Sequence, residues 1–170
     1  MLGTVESLEV RNRIWKRVVG CWLVLAAFAV ASDPPTAIVP MTVCEVLTDL
    51  AAHEGKSVAV LGRYSFRRDG RWIGEEACGS GPGMLSLNED ASAPRPPGNF
   101  DIDTPVLNKK FAEMTKHTSL GKFRFGQPDY DRWAVVYGKI ALRKGDDAKK
   151  APAELLFRGS GVVMFLTTEK

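Results

Sequence analysis

Histidine and cysteine are scarce in this chain of 170 residues, which holds two histidines and three cysteines. Neither type occurs at the His-x-His or Cys-x-x-Cys spacing that is typical of transition-metal sites. His53 and His117 both lie near the ends of predicted helices, where a positive charge suits the helix dipole. The sequence therefore predicts no metal site and no cofactor.

Arrangements typical of hydrolases are missing as well. Glu75 and Glu76 are adjacent, so on a strand they face opposite sides and cannot act as a paired acid and base. The two Gly-Ser-Gly triplets, 79–81 and 159–161, lack the strand-to-helix context of a nucleophile elbow. We therefore predict no catalytic residues.

The apolar run "VVGCWLVLAAFAVA" near the amino terminus is too short to span a membrane. It holds 14 residues, whereas a membrane-spanning helix needs about 20. It follows the basic segment "RNRIWKR" and ends at Ala29-Val30-Ala31, a small-x-small cleavage signal. We expect residues 1–31 to be a signal peptide for export to the periplasm or beyond, with an uncleaved membrane anchor as the alternative. Residues 32–40 then form a proline-punctuated tether, and residues 41–170 a single domain.

Charge of one sign is not in large excess. The net charge is +3, and without residues 1–31 the chain keeps 19 basic and 18 acidic residues. A field that attracts polyanions over the whole surface is therefore not expected. Nucleic acid is an unlikely partner for this reason, and also because export leads to a compartment where it is scarce.

Two cysteines, Cys44 and Cys78, remain after the predicted leader. An even number in an exported chain suggests one disulfide, with two separate buried thiols as the alternative. Such a bond would close a loop of about 35 residues and contribute on the order of 3 to 4 kcal/mol.

Helix and strand signals alternate along the rest of the chain. Thr42 and Glu45 form a capping box that opens a helix within residues 41–55, and Thr104 with Pro105 opens a second over 104–117. Asp69-Gly70 predicts a tight hairpin turn, and "EEACGSGPG" is expected to be a loop. The five predicted strands cover residues 57–66, 71–74, 84–88, 132–145 and 153–168.

Gly62 and Gly138 each interrupt an apolar strand. A glycine inside a strand costs roughly 0.5 to 1 kcal/mol, so it usually marks a bulge, a sharp bend or a close backbone approach. Small barrels need such positions to coil their strands. The order of helix, three strands, helix and two strands resembles the OB-fold from about Gly55 to Thr168. With Cys44, the pattern "C…G-K-x-V-x-V-x-G" is similar to small exported bacterial OB-fold proteins of unknown function.

The resemblance implies a mainly β, α+β domain: a five-stranded OB-fold-like barrel with one helix before strand 1 and one between strands 3 and 4. A β-sandwich is the alternative. OB-folds bind ligands on the face of strands 2 and 3, between the loops joining strands 1–2 and 4–5. Both loops here are basic, and Trp72 offers a stacking platform. The ligand-binding residues implied in this way are Arg67, Arg68, Arg71, Trp72, Lys144 and Lys149.

We therefore expect a non-catalytic binding or structural module of the periplasm or cell envelope. Its ligand would be anionic or an oligosaccharide, or its partner an envelope protein. Two alternatives stay open: a protein–protein interaction module, and a secreted hydrolase or nuclease on an OB barrel. Basic hairpin tips also serve solubility alone, and Trp72 could equally be a core residue.

Overall fold

Strands dominate the part of the chain that the computed structural model describes, residues 37–79, 81–126 and 128–165. A 3-10 turn covers Leu120–Lys122. None of the helices in these ranges is long and apolar enough to cross a membrane. The elements are β1 Met41–Thr42, α1 Val43–Thr48, α2 Leu50–His53, β2 Ser57–Arg67, β3 Gly70–Cys78, β4 Gly81–Glu89, α3 Thr104–His117, β5 Tyr130–Leu142, α4 Asp147–Lys150 and β6 Ala153–Phe165.

Hydrogen bonds join the five long strands into a ring. The order is β2-β3-β4-β6-β5, and β5 pairs again with β2. The β4–β6 pair is parallel and the other four are antiparallel. Strand β1 pairs with Val60 and Leu61, on the part of β2 that lies before its pairing with β3 begins at Arg63. The expected α+β class with mainly β structure is confirmed.

Alternate residues of the strands build two buried clusters. The first contains side chains from all five long strands, such as Val60, Ile73 and Leu155, together with Val43 and Val46 of α1. The second lies on the other face of β2 and β5, where helix α3 covers it. Its members are Ala59, Leu61, Leu107, Met114, Phe123, Trp133 and Val135.

The first predicted helix begins as expected and ends early. Thr42 accepts a hydrogen bond from the backbone N–H of Glu45, and the Glu45 carboxylate accepts one from Thr42 N. The single helix expected within residues 41–55 is wrong beyond Thr48, because Asp49 leaves the helical conformation. The Asp49 carboxylate accepts from Ala52 N and caps a second short helix, α2.

The second predicted helix has the expected bounds, Thr104–His117. Its N-cap is Asp103, whose carboxylate accepts from Val106 N at 3.0 Å, and not Thr104. Leu107 and Met114 are buried, and the ring of Phe111 lies edge-on to Trp133 at 5.3 Å. These three apolar side chains therefore form the side of the helix that packs on the second cluster.

The hairpin turn is confirmed, but the loop expected at 75–83 is wrong. Arg67 pairs with Gly70, so only Arg68 and Asp69 form the turn. Strand β3 runs on to Cys78 and β4 already begins at Gly81, with a register shift between Glu75 and Cys78. Glutamate and glycine have low strand propensity, and it is the pairing of the two strands that overrides it.

The predicted leader lies outside the described residues, and the predicted tether is described only from residue 37. Ile38 forms a β-bridge with Ile102. Its N–H donates to Asp101 O at 2.8 Å, and its carbonyl accepts from Asp103 N at 2.9 Å.

Close backbone approach is confirmed at both mid-strand glycines. A Cβ on Gly62 would lie 2.7 Å from Ile73 Cγ1 and 3.0 Å from the carbonyl oxygen of Gly74. A Cβ on Gly138 would overlap the carbonyl oxygen of Leu156 on β6. These strands therefore pass their neighbours at a distance that a side chain would prevent.

We predict that Gly138→Ala lowers the free energy of unfolding by about 1 to 3 kcal/mol, because a backbone carbonyl cannot move aside as a flexible side chain can. Denaturant unfolding measures this change. The control is Gly126→Ala, since a Cβ there meets nothing within 4 Å. Equal stability of the two variants would contradict the close packing of β5 on β6.

Candidate functional site

The pairing of β2 with β3 and β5 places aromatic and arginine side chains next to the β2–β3 turn. Phe66 lies opposite Arg71 on β3 and opposite Tyr130 on β5. Side chains directly opposite on paired strands lie within contact distance. Phe66, Arg71, Tyr130 and Arg132 lie on one face of the sheet, Arg67 and Trp72 lie on the other, and Arg68 lies in the turn between them. We call these residues together the arginine–aromatic surface.

Guanidinium groups lie over aromatic rings throughout this surface. The Cζ of Arg71 is 5.6 Å from the ring centre of Phe66, and the Cζ of Arg67 is 5.6 Å from Trp72. Arg132 lies 5.8 Å from Tyr130. Such pairs contribute about 0.5 to 1 kcal/mol each at exposed sites. They fix the arginine side chains in position before any ligand arrives.

The guanidinium group of Arg67 is held by hydrogen bonds to the ends of two neighbouring strands. Its Nη2 donates to both oxygens of Asp131 at 2.8 and 2.7 Å, and its Nη1 donates to the carbonyls of Phe66 and Tyr130. Asp131 is fully buried. Its carboxylate also accepts from Ser65 Oγ and from Arg124 N. Arg67 therefore ties the end of β2 to the start of β5.

The bonds to the Asp131 carboxylate determine its protonation. Burial by itself would raise the pKa of Asp131, but the hydrogen bonds from Ser65, Arg124 N and Arg67 outweigh burial and hold that pKa below its usual range. The ionised form is thus the one that the fold stabilises.

Arg71 and Arg68 are more accessible. Arg71 donates to Glu89 at 2.7 Å, and both side chains of this pair are partly exposed, at 34% and 47%. The hydrogen bond to Glu89 raises the pKa of Arg71. Arg68 is exposed at the turn, and Trp72 is half-buried. An exposed pair is worth only about 0 to 1 kcal/mol, so Glu89 holds the Arg71 guanidinium only weakly.

The two predicted lysines lie elsewhere. Lys144 is exposed, and Lys149 donates to Asp146 at 2.6 Å. Lys149 lines a cavity of about 670 Å³ together with Cys78 and Gly79. That is the opposite end of β3 from the turn, roughly 26 Å along the strand at about 3.3 Å per residue. The structure thus brings together four of the six predicted residues and places the lysine loop apart from them.

The predicted disulfide between Cys44 and Cys78 is confirmed, with 5.0 Å between the Cα atoms. The carboxylate of Glu75 lies beside it and accepts a hydrogen bond from Cys44 N at 2.9 Å. One oxygen of Glu75 and the two sulfurs lie within 4.8 Å of one another. Since the sulfurs are bonded to each other, they offer no thiolate to a metal ion.

Sequence reasoning missed Tyr130, Asp131 and Arg132 as members of this region. The segment "YDRW" opens the fourth long strand with alternating aromatic and charged residues, and a strand places them on opposite faces. That alternation was the available signal. Reading it required the pairing with β2, which lies more than 60 positions earlier in the chain.

A further cavity lies between helix α3 and strand β3. Its volume is about 700 Å³, and apolar and charged side chains share its wall. Lys110 forms an ion pair with Glu45 across one side of it. It is lined by Thr42, Glu45, Glu75, Ala77, Val106, Lys109, Lys110, Glu113, Met114, His117 and Thr118.

Comparison with protein-family models, curated proteins and solved structures finds no match to this chain. The resemblance to OB-fold proteins therefore stays a prediction at the level of family. Function has to be inferred from the geometry of the molecule itself.

Stability should depend on pH through Asp131. The pKa is lower in the folded state, so the carboxylate contributes stability above the unfolded value of about 4. That contribution is lost as the pH falls through the folded value. We predict that Asp131→Asn lowers the free energy of unfolding by about 3 kcal/mol or more at pH 7, and that its difference from wild type shrinks below about pH 4.

Denaturant unfolding between pH 7 and pH 2 tests this prediction. Asp146→Asn is the control, because the Asp146 side chain is 93% exposed and its loss should change stability by less than about 1 kcal/mol. A deficit of Asp131→Asn that stays constant with pH would be inconsistent with a carboxylate held ionised by its neighbours.

Proposed function

We propose that this protein is an exported, non-catalytic binding module of the periplasm or cell envelope. Its ligand is an anionic molecule or an acidic oligosaccharide, which contacts the arginine–aromatic surface. The observation that carries the proposal is that three guanidinium–ring pairs lie at one end of the β2–β3–β5 sheet, two of them on one face and the Arg67–Trp72 pair on the other. The disulfide supports export, because such bonds persist in oxidising compartments.

We further propose that the ring of strands is an OB-type barrel. Five long strands close on themselves, and the one long helix of the described ranges, α3, lies between the third and fourth of them. The close approaches at Gly62 and Gly138 suit the strong coiling of a small barrel. A β-sandwich is less compatible with this order, because its two sheets are not hydrogen-bonded into one ring.

The chemistry of the surface favours an acidic sugar or a similar ligand. The rings of Phe66 and Tyr130 are stacked, with centres 5.4 Å apart and planes 11° apart. Aromatic faces accept the flat side of another ring, and guanidinium groups pair with carboxylate or sulfate groups in two-pronged fashion. Arg68 and Arg71 supply accessible positive charge at the edge of the rings.

Binding without catalysis is favoured by the direction of the pKa shifts. Within the described residues, the carboxylates with a clear shift are Asp90, Glu113 and Asp131, and all three pKa values are lowered. A general acid of a hydrolase needs the opposite, a carboxyl whose pKa is raised toward neutrality.

We predict that Arg68→Ala with Arg71→Ala weakens binding to a heparin-derived hexasaccharide by about tenfold or more, because two charge-assisted contacts are lost. Trp72→Ala leaves the charge unchanged and should weaken binding by about fivefold or more through lost stacking. Calorimetry at constant ionic strength measures both changes.

Lys144→Ala with Lys149→Ala is the matched control, since it removes the same charge from the other end of the molecule. Its affinity should stay within about twofold of wild type. Equal losses of affinity in the two double variants would mean that the ligand is attracted by net charge alone. An unchanged affinity of Trp72→Ala would contradict stacking of the ligand on Trp72. Thermal unfolding confirms that each variant is folded.

A further inference from the structure

We propose a second binding site, which takes a tetrahedral oxyanion such as a phosphate or sulfate group. It lies between β6 and the segment of residues 90–103, and it shares no lining residue with the arginine–aromatic surface. We call it the arginine cleft. It is a cavity of about 510 Å³ whose lining is Arg95, Pro96, Gly98, Asn99, Phe100, Arg158 and Ser160.

The segment 90–103 contains no helix or long strand, yet its backbone is fixed. Asp90 N donates to Phe157 O at 2.8 Å, at the segment's first residue. Asp103 N donates to Ile38 O at its last, and Ala93 is buried between them. Irregular segments of this length in compact domains are usually functional or disordered. An anchored one is therefore a candidate for binding.

The backbone of the segment is strained next to the cavity. Phe100 has φ 57°, and among the described residues it is the one non-glycine with a positive φ. Its N–H donates to Pro97 O across a turn that also contains Gly98 at φ 53°. The Phe100 ring packs edge-on against Tyr137 at 6.0 Å. Strain of this kind costs about 1 to 3 kcal/mol and concentrates at ligand sites.

Arg158 is oriented toward the segment by a hydrogen bond. Its Nε donates to the carbonyl of Ala93, which leaves the two terminal nitrogens of the guanidinium for another acceptor. Neither Arg158 nor Arg95 forms an ion pair with a carboxylate of the described residues. In contrast, Arg63, Arg67 and Arg71 all have carboxylate partners.

Asp90 is the acidic group that acts on Arg158. Its pKa is lowered mainly by the N–H and hydroxyl of Ser92, and only to a smaller extent by Arg158. The Asp90 carboxylate accepts from Ser92 N at 2.7 Å. The Asp90 carboxylate is thus held within its own turn by Ser92, and Asp90 does not line the cavity.

The lining supplies hydrogen-bond donors and no carboxylate. Arg95, Arg158, Ser160 and Asn99 line one small volume, and arginine matches phosphate and sulfate oxygens in pairs of bonds. Pro96 and Phe100 add an apolar wall for the body that carries the anionic group. A tetrahedral oxyanion fits this donor set.

The test titrates the full chain with inorganic phosphate at constant ionic strength, following the backbone amide signals by NMR. We expect saturable shifts at residues 95, 98, 99, 158 and 160. Arg95→Ala should weaken binding by about tenfold or more, and because Arg95 is exposed the fold should be unaffected. Lys144→Ala is the matched control, because it removes one exposed positive charge outside both proposed sites, and it should bind phosphate as the wild type does.

Linear, unsaturated shifts, or an Arg95→Ala variant with wild-type affinity, would overturn the arginine cleft. A second arm distinguishes the source of the anion: vesicles of phosphatidylglycerol against vesicles of phosphatidylcholine. Sedimentation with the former that is lost in Arg95→Ala assigns the site to a lipid headgroup, whereas phosphate saturation without sedimentation assigns it to a small soluble oxyanion. The two proposed sites share no residue, so either can fail without the other.

Discussion

Closure of the strand ring at β2 is the constraint on which the rest of the structure depends. Strand β2 pairs with β5 along Ser57–Phe66 and with β3 from Arg63 onward, so both of its edges are occupied there. Gly62 lacks a side chain where β2 passes close to β3, and Gly138 lacks one where β5 passes close to β6. Because the ring is closed, side chains from all five long strands pack into one buried cluster.

The arginine–aromatic surface is a consequence of the same register. Phe66, Arg71 and Tyr130 become neighbours only when β2 is paired on both sides. Arg67 and Asp131 then lock this end of the ring through a buried ion pair. Removing one partner of such a buried pair is costly, so the pair stabilises this end of the closed sheet.

Local signals allowed the helix at 104–117 to be predicted from the sequence, because Pro105 and the apolar spacing act within a few residues. The extension of β3 to Cys78 depends on pairing with β4, against the low strand propensity of Glu75 and Glu76. The resemblance to the OB-fold implied Arg67, Arg71 and Trp72 as ligand-binding residues, whereas the ion pair of Arg67 with Asp131 joins residues 64 positions apart. Such a partner leaves no trace in a local pattern.

Helix α1 is attached to the strands by more than one kind of contact. Val43 and Val46 sit in the interior cluster, while Cys44 bonds covalently to β3 and Glu75 holds its N–H. Helix α1 is therefore held against this side of the strand ring by three contacts: the buried valines, the disulfide and the hydrogen bond to Glu75. Separating α1 from the strands would require the loss of all three contacts together.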